Sequence, residues 1–523
     1  MPIEEALFFL VTNLILISAS LTFDRVLVIC RFAPEKIAVN HIHEGKGKEG
    51  AEKEEVQRQE EPPYSTTYLP LNAQSVAVLW RAFLASDVPD DDQHHHGASS
   101  SSSRPTSSSN PNRQAQRIRD LERSMSVLSG ASRSFTAASY LLPWDLRADL
   151  CSLYAFCRAS DNLIDEKAGS EVGEQEGRMG GKEGGAKRKR LEGLWKLLDI
   201  AYSSSPSGRE EAEQQIQAQI SDMGKSEGLP SIAAPASSKN ATHKAYQDLA
   251  SVSGTLLDFN QILPRRLWEE LFQGYEMDVA MEEQQAELQQ RASSKGKAKA
   301  VALGTLQTMK ELERYGQCVA GSIGEMCTRV VLHRAGYLSG SPEPHASSEK
   351  KRAPTQVQRR QGKEEERWSS VINAARRMGV ALQFVNIARD VDADLKTLKR
   401  CYLPRDMIGD DLISLIQKEL AEEEDDEDQE PNQKRKRSSY NTKLRPHAIK
   451  ILDIAAYWYK ASYPAIQRIP VPAARSGLRV ACAVYVDIAS AIRRQSDAQV
   501  MDGARAVNTT RRRIWVAIKA LYF

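Results

Sequence analysis

The sequence predicts an all-α protein. From about residue 118 to the C-terminus, apolar residues recur at the spacing of amphipathic helices, while the alternation typical of strands is scarce. Turn signals separate these helical segments. The 71 basic and 69 acidic residues give a net charge of +2, which offers no indication of a nucleic-acid partner. We therefore expect one helical core.

Several polar stretches interrupt the helical pattern, and we expect them to loop out of the core. The cost of closing a loop grows only logarithmically with its length, so such insertions are tolerated. Basic runs at 187–190 and 434–437 lie in polar surroundings and are interpreted as solvated loop segments rather than binding patches. The stretches are roughly 168–190, 203–241, 284–301, 338–366 and 419–445.

An uncharged apolar run at 6–23 is just long enough to span a bilayer as one helix. Glu4 and Glu5 precede this run, whereas Arg25 and Arg31 follow it. The positive-inside rule then places the rest of the chain in the cytosol. We expect a single-pass membrane protein, and the alternative is that the run is a buried helix of a soluble domain.

The composition divides the chain into three parts. Residues 1–33 contain the apolar run, residues 34–112 are polar and biased in composition, and residues 113–523 carry the helical pattern. The middle part is too poor in apolar residues to offset the entropy cost of ordering, and it is interpreted as a linker. Seven cysteines without a CxxC pair are interpreted as reduced, packed side chains.

A first acidic stripe is predicted on a helix that ends near Asp165. Asp145 is the expected N-cap of this helix. Tyr154, Arg158, Asp161 and Asp165 follow at i, i+4, i+7 and i+11, which places them on one face beside the apolar stripe. A DxxxD pair alone is typical of a solvated helix face, and a second copy in the same chain favours a site.

The second copy lies in 379–404, which is interpreted as one helix running into a turn. Gln383, Asn386, Asp390 and Asp394 form its polar stripe at i, i+3, i+7 and i+11. Like charges one turn apart repel, so the pair requires a cation. Mg2+ prefers oxygen ligands and is expected here, with Mn2+ as the alternative ion. Two such stripes facing each other would bind a diphosphate through the metal ions.

Four segments, taken in order, resemble the squalene and phytoene synthases, the synthases that join two isoprenyl diphosphates head to head. The resemblance covers about 113–523. It implies an isoprenoid synthase bundle around a central cavity, with two aspartate motifs facing each other across its mouth. The segments are SRSF at 132–135, LYAFCRASDNLID at 153–165, YGQCVAGSIGEMC at 315–327 and ALQFVNIARDVDAD at 381–394.

The resemblance also implies a set of site residues. The catalytic set is Asp161, Asp165, Asp390, Asp394, Tyr154, Arg158 and Tyr315. The metal ligands are the same four aspartates with Asn386. The substrate-binding set is Ser132, Arg133, Ser134, Phe135, Val319, Gln383, Asn386, Arg389, Arg400 and Tyr402. A carbocation must be kept from water, so aromatic faces and an apolar cavity are expected, although aromatic residues at helical spacing are usually core.

The residues of these segments resemble the phytoene branch of the family most. This implies condensation of two geranylgeranyl diphosphates to phytoene through a cyclopropyl diphosphate, with Mg2+ and without NADPH. The alternatives are NADPH-dependent squalene-type condensation and a non-catalytic, membrane-tethered assembly factor. Expected partners are geranylgeranyl diphosphate, the membrane and other carotenoid enzymes, with no nucleic acid.

Residues 2–24 resemble the end of the lycopene cyclase domain that fungal carotenoid proteins carry fused to a synthase. Only one or two helices of that multi-helix domain are present in these residues. Cyclisation needs a cavity enclosed by several packed helices, so we expect no lycopene cyclase activity from this chain.

Overall fold

The computed structural model describes residues 122–127, 139, 142–166, 180–205, 208–232, 240–294, 301–339, 356–429 and 438–522. The predicted spanning segment and linker lie outside these residues, as do Ser132, Arg133, Ser134 and Phe135. Within the described ranges, no helix combines the length and apolar character needed to cross a membrane.

The described chain is helical apart from one two-residue parallel strand pair, which confirms the all-α prediction. The first part contains α1 (Trp144–Asp165), α2 (Gly180–Ser203), α3 (Arg209–Ser226), α4 (Ala241–Val252), α5 (Gly254–Phe259), α6 (Arg265–Ser294), β1 (Gly304–Thr305), α7 (Met309–Gly316) and α8 (Ser322–Arg334). The second part contains α9 (Gln356–Ala393), β2 (Arg400–Cys401), α10 (Arg405–Ile408), α11 (Asp410–Gln429), α12 (Ser439–Ile466), α13 (Pro472–Val486), α14 (Ile488–Arg494), α15 (Asp497–Met501) and α16 (Thr510–Tyr522).

The polar stretches do not all loop out, and this expectation was wrong in part. Helix α3 lies within 203–241, and α2 begins within 168–190. Helix α3 buries apolar side chains one turn apart, including Ile216 and Ile220. The overall polarity of these stretches hid a helical spacing of the few apolar residues that do pack.

The basic run at 187–190 is also not a solvated loop. Lys187 and Arg190 lie on α2 and are buried. Lys187 pairs with Glu282 at 2.7 Å, and Arg190 forms a two-point ion pair with Glu227 at 2.6 and 2.7 Å. Buried guanidinium and ammonium groups require such partners. The partners lie far along the chain, so the sequence pattern alone did not indicate them.

Helix α1 begins one residue before the predicted N-cap. Pro143 holds the N-cap position, and its carbonyl accepts a hydrogen bond from the backbone of Arg147 at 2.8 Å. Asp145 is therefore inside the first turn, and the prediction that it caps the helix was wrong. Proline suits a helix start because its missing N–H costs no hydrogen bond there.

Small residues let α9 approach the α7–α8 segment closely. A Cβ on Gly379 would overlap the carbonyl of Ala320, and one on Gly324 would overlap the carbonyl of Ala375. The backbone between α7 and α8 widens into a π-helix at Gln317–Gly321. This π-helix brings Val319 to the wall of the cavity.

The polar stripe of α9 ends at a second π-helix. Helix α9 stops at Ala393, and the π-helix Asp394–Leu398 follows. Lys399 then adopts φ 53°, a left-handed conformation that ends the helix. Strand β2 pairs with β1 in the register Gly304 to Arg400. This pairing fixes the backbone of Arg400 below the acidic stripe, where the sequence predicted only a turn.

The core has two parts. One is built around α1, α2 and α6, where the rings of Phe156 and Trp268 meet edge to face with centroids 5.2 Å apart. The other is built around α9 and α12, where Phe384 stacks on Trp458. Phe384 is thus a core residue, as aromatic residues at helical spacing usually are. The six described cysteines are free thiols, and only Cys327 among them is not fully buried, in agreement with the prediction.

Candidate active site

A cavity of about 1050 Å³ lies between α1, α6, α8, α9 and α13. Such a volume is at the upper end for small-molecule sites. One end is acidic, and most of the remaining wall is apolar. The acidic end holds Asp161, Asp165, Asp278, Asp390 and Asp394, and the apolar wall includes Leu271, Ile323, Val371, Met378, Leu382, Ile466 and Leu478. The two predicted stripes therefore line one cavity.

The first stripe comes from α1. Arg158 donates a hydrogen bond to Asp161 at 2.8 Å. Burial, followed by repulsion from Asp165, raises the pKa of Asp161 to about 7. Tyr154 lies one turn before Arg158, and burial raises the pKa of its hydroxyl to about 12, so the group is a neutral hydrogen-bond donor. All four predicted residues of this stripe line the cavity.

The second stripe comes from α9 and its π-helix. Asp390 accepts hydrogen bonds from Arg389 at 2.6 and 3.0 Å and from Arg505 at 2.8 and 3.0 Å. Although burial raises it, these hydrogen bonds lower the pKa of Asp390 on balance. Burial and repulsion from Asp390 raise the pKa of Asp394 to about 7. The stripe thus holds one carboxylate neutralised by arginines and one under strong repulsion.

The amides of the second stripe are held in place by neighbours. Asn386 donates a hydrogen bond to Gln383 at 3.3 Å and accepts one from Arg389 at 2.9 Å. The hydroxyl of Tyr485 on α13 also hydrogen-bonds the Asn386 side-chain oxygen. Gln383 and Asn386 both line the cavity, as predicted.

Arg400 joins the first stripe to α6. Its guanidinium, 1% exposed, pairs with Asp165 at 3.0 Å and Asp278 at 3.5 Å and also contacts Glu282. Burial acts to lower the pKa of Arg400, but these carboxylates, Asp278 first, hold it well above its ordinary value. The same guanidinium partly offsets the rise in the pKa of Asp394 that burial and repulsion from Asp390 cause.

The sequence model of the squalene/phytoene synthase family matches residues 128–513. The chain belongs to the squalene/phytoene synthase family. The match spans the described helices that line the cavity, including both acidic stripes. The resemblance stated from the four sequence segments is confirmed.

Similar proteins in this family include two from fungi. The bifunctional lycopene cyclase/phytoene synthase of Sporisorium reilianum (strain SRZ2) is 35% identical over 100% of this chain and 66% of its own length. The protein of the same name from Pyrenophora tritici-repentis (strain Pt-1C-BFP) is 26% identical over 100% of this chain and 62% of its own length. The chain thus spans slightly less than two thirds of these relatives.

One of the solved structures similar to this chain is a dehydrosqualene synthase in complex with ligand. It is 17% identical, covers 78% of this chain and 96% of its own, and superposes with a TM-score of 0.41, too low to carry an argument. Membership of the squalene/phytoene synthase family therefore rests on the sequence match.

Asp278 is a site residue of this family member that sequence reasoning missed. It lies on α6, is buried at the acidic end, and accepts hydrogen bonds from the hydroxyls of Tyr402 at 2.7 Å and Tyr315 at 3.2 Å. Burial, followed by repulsion from Asp165 and offset in part by Arg400, raises its pKa to about 6. Asp278 and Glu282 have the same i,i+4 spacing as the two DxxxD pairs, and that spacing was the available signal.

Tyr315 and Tyr402 stack with ring centroids 5.0 Å apart and line the cavity. Both hydroxyls donate hydrogen bonds to Asp278, which holds the two rings in place. The rings themselves line the cavity. The predicted Tyr315, Val319, Arg389 and Tyr402 are thus brought to the cavity. Arg400 lies just behind its wall.

The donor set fits a hard divalent cation. Carboxylate and amide oxygens from two stripes converge on one end of the cavity, and Mg2+ takes such ligands while keeping several waters. Burial, followed by repulsion between neighbouring carboxylates, raises the pKa of Asp161 and of Asp394, and a cation would relieve the repulsion. In their present positions, no three His, Cys, Asp or Glu side chains in the described ranges form a ready metal cage. Waters or phosphate oxygens would complete the coordination.

Proposed function

We propose that this chain is a prenyltransferase that condenses two geranylgeranyl diphosphates head to head into phytoene, through a cyclopropyl diphosphate. The observation that carries the proposal is a single cavity with two acidic stripes at one end and an apolar wall beyond them. A prenyl diphosphate has the same polarity, with a charged head and an apolar chain. Family membership and the fungal relatives support the same assignment.

Asp161, Asp165, Asp390, Asp394 and Asn386 would hold Mg2+, with Mn2+ as the alternative. When bound, the ions supply positive charge that neutralises a departing diphosphate. Arg158 and Arg389 lie beside the aspartates and provide further donors for phosphate oxygens. Arg133, also predicted here, lies outside the described residues.

The described residues also protect a carbocation. The ring pair of Tyr315 and Tyr402 presents aromatic faces whose negative quadrupole attracts positive charge. Asp278 fixes both hydroxyls, so the rings are held in place. The apolar wall excludes water that would otherwise trap the cation. This arrangement supports the isoprenoid synthase site that the resemblance implies.

The charge balance of the proposed reaction needs no reductant. Two diphosphates leave with their bonding electron pairs, and each loss creates one positive charge on carbon. Two protons are lost, one when the cyclopropane closes and one when the final double bond forms. A squalene-type reaction replaces the second proton loss by hydride transfer from NADPH, so the reductant requirement separates the two branches.

The test is incubation of the purified full chain with geranylgeranyl diphosphate and Mg2+, with and without NADPH, followed by analysis of the hydrocarbon. We expect phytoene in both reactions. A reduced product formed only with NADPH would assign the squalene-type reaction instead. Absence of any hydrocarbon from folded protein, with a known synthase active in parallel, would favour the non-catalytic alternative.

A further inference from the structure

The C-terminal helix α16 exposes a continuous apolar face with basic ends. Trp515 is 63% exposed and Tyr522 is 77% exposed, and both stand on the same side of the helix. The face follows the i, i+3, i+4, i+7, i+8, i+11 pattern that places residues on one side of a helix. Its members are Arg511, Ile514, Trp515, Ile518, Lys519 and Tyr522. We call this set the α16 face.

The opposite side of α16 is already packed. Ala517, Ala520 and Leu521 lie against Val480 and neighbouring residues of α13. The helix is thus fixed to the protein by two alanines and Leu521, while its other large apolar side chains are exposed. Exposed large hydrophobic residues are scattered elsewhere in the described ranges, but four of the eight lie on the α16 face and Val507 shortly precedes it. Such a concentration marks an interaction surface.

We propose that the α16 face lies on the surface of an anionic lipid bilayer. Helix α16 contains four basic and no acidic residues, TRRRIWVAIKALY, so its charge complements anionic headgroups. Arg512 is paired with Asp487, which leaves Arg511 and Lys519 exposed beside the apolar side chains. Trp and Tyr are the aromatic residues that favour the membrane interface. A 13-residue helix is about 20 Å long, too short to span.

The position of α16 connects this surface to the cavity. Val507 and Arg513 belong to the same segment and line the cavity. A bilayer under the α16 face would therefore lie next to one side of the cavity. Under the proposed function, this placement lets an apolar hydrocarbon pass from the cavity into lipid without crossing water. The docking surface itself does not depend on that function.

The test must report on α16 rather than on membrane association as a whole, because residues 6–23 are also predicted to enter a bilayer. We would reconstitute the full chain in vesicles of phosphatidylcholine with phosphatidylglycerol, with and without doxyl-labelled lipid. Subtracting the emission of Trp515→Phe from that of the wild type isolates the Trp515 signal. The matched control is Trp458→Phe, because Trp458 packs on Phe384 in the core.

We expect the Trp515 emission to shift to shorter wavelength and to be quenched by doxyl lipid, while the Trp458 emission is not quenched. Emission typical of water, without quenching, would overturn the proposal. A blue shift without lipid quenching would also overturn it, because it would show that protein covers the face, either residues 1–121 or a second copy of the chain.

A second experiment tests the contribution of positive charge to docking of the α16 face. Arg511→Gln with Lys519→Gln removes the exposed positive charges of the face, and each such residue contributes about fivefold to binding at an anionic surface. The double variant is expected to weaken docking of α16 by roughly 30-fold. Lys443→Gln with Lys450→Gln, an equal charge change on α12, is the control and should leave Trp515 quenching unchanged. Equal quenching in both double variants would contradict an electrostatic contribution from this face.

Discussion

The two acidic stripes line the same cavity but are neutralised in different ways. The first stripe is braced by Arg400, which is 1% exposed and binds Asp165 from the β2 strand. The second stripe is capped by Arg505, which is 61% exposed and reaches Asp390 from the segment between α15 and α16. The guanidinium of Arg400 is thus buried in the fold, and the guanidinium of Arg505 lies at the surface of the site.

This difference indicates different roles for the two arginines. Arg400 contacts three carboxylates, so its removal would leave uncompensated buried charge. Arg505 can move into solvent, and an exposed ion pair contributes little to stability. We infer that Arg400 holds the first stripe in position permanently. We infer that Arg505 is a replaceable counter-ion, which a metal ion bound to Asp390 would displace.

The largest expected effect comes from removing one carboxylate of either stripe. Asp161→Asn or Asp390→Asn should lower turnover by about 10³-fold or more at saturating Mg2+, because each removes charge that the diphosphate complex requires. Thermal stability should be retained, because both groups line a cavity rather than fill the core. The control is Asp411→Asn, an exposed carboxylate on α11. Wild-type turnover by either cavity variant would refute the assignment of its stripe.

The two arginines should differ sharply in stability. Arg400→Gln is expected to destabilise the protein by about 3–5 kcal/mol, the usual result of breaking a buried ion pair. Arg505→Gln should cost no more than about 1 kcal/mol. Urea unfolding of both variants in metal-free buffer measures the difference. Equal losses of unfolding free energy would show that the two stripes are braced alike.

A smaller effect concerns pH. The carboxyls of Asp161 and Asp394 have pKa values near 7 in the folded protein, above the ordinary value of 3.8. A raised pKa means that the folded state binds the proton more tightly, so this stabilisation is present at low pH and is lost as the pH rises through about 7. The Tm of EDTA-treated protein should therefore fall progressively between about pH 4 and pH 7, by roughly 2–4 °C per kcal/mol lost.

The matched control removes the titration itself. Asp161→Asn combined with Asp394→Asn should flatten this part of the pH dependence, because neither amide titrates. Adding Mg2+ to the wild type should restore Tm at high pH, where the carboxylates are charged and available. If the Tm of the wild type and the Tm of the double variant depended on pH in the same way over this range, the inferred titration of Asp161 and Asp394 would be contradicted.

The sequence was sufficient to predict features that depend on spacing within one helix, such as the two acidic stripes. Residues i, i+4, i+7 and i+11 share a helix face wherever the helix packs, so both stripes followed from spacing alone. The arginines that pair with these stripes from distant segments could not be predicted from spacing. Arg505 lies 115 positions from Asp390, and Arg400 lies 235 positions from Asp165, so only the folded chain brings them together. The buried Lys187 was misread for the same reason.

Asp278 shows a limit of another kind. Its spacing to Glu282 matched the pattern used for the other two pairs, but Asp278 was not recognised as a site residue from the sequence. Its importance comes from Tyr315, Tyr402 and Arg400, which reach it from distant segments. Roles for Ser132, Arg133, Ser134 and Phe135 stay predictions, because these residues lie outside the described ranges.

We expect the two stripes to act together on one diphosphate. The most direct measurement is Mn2+ binding, followed by electron paramagnetic resonance, with and without inorganic diphosphate. In the wild type, diphosphate should increase Mn2+ affinity. Asp161→Asn and Asp390→Asn should each abolish this increase completely, because one complex spans both stripes. If each variant instead kept about half of the diphosphate-dependent binding, the two stripes would be independent sites, which would contradict a shared diphosphate complex.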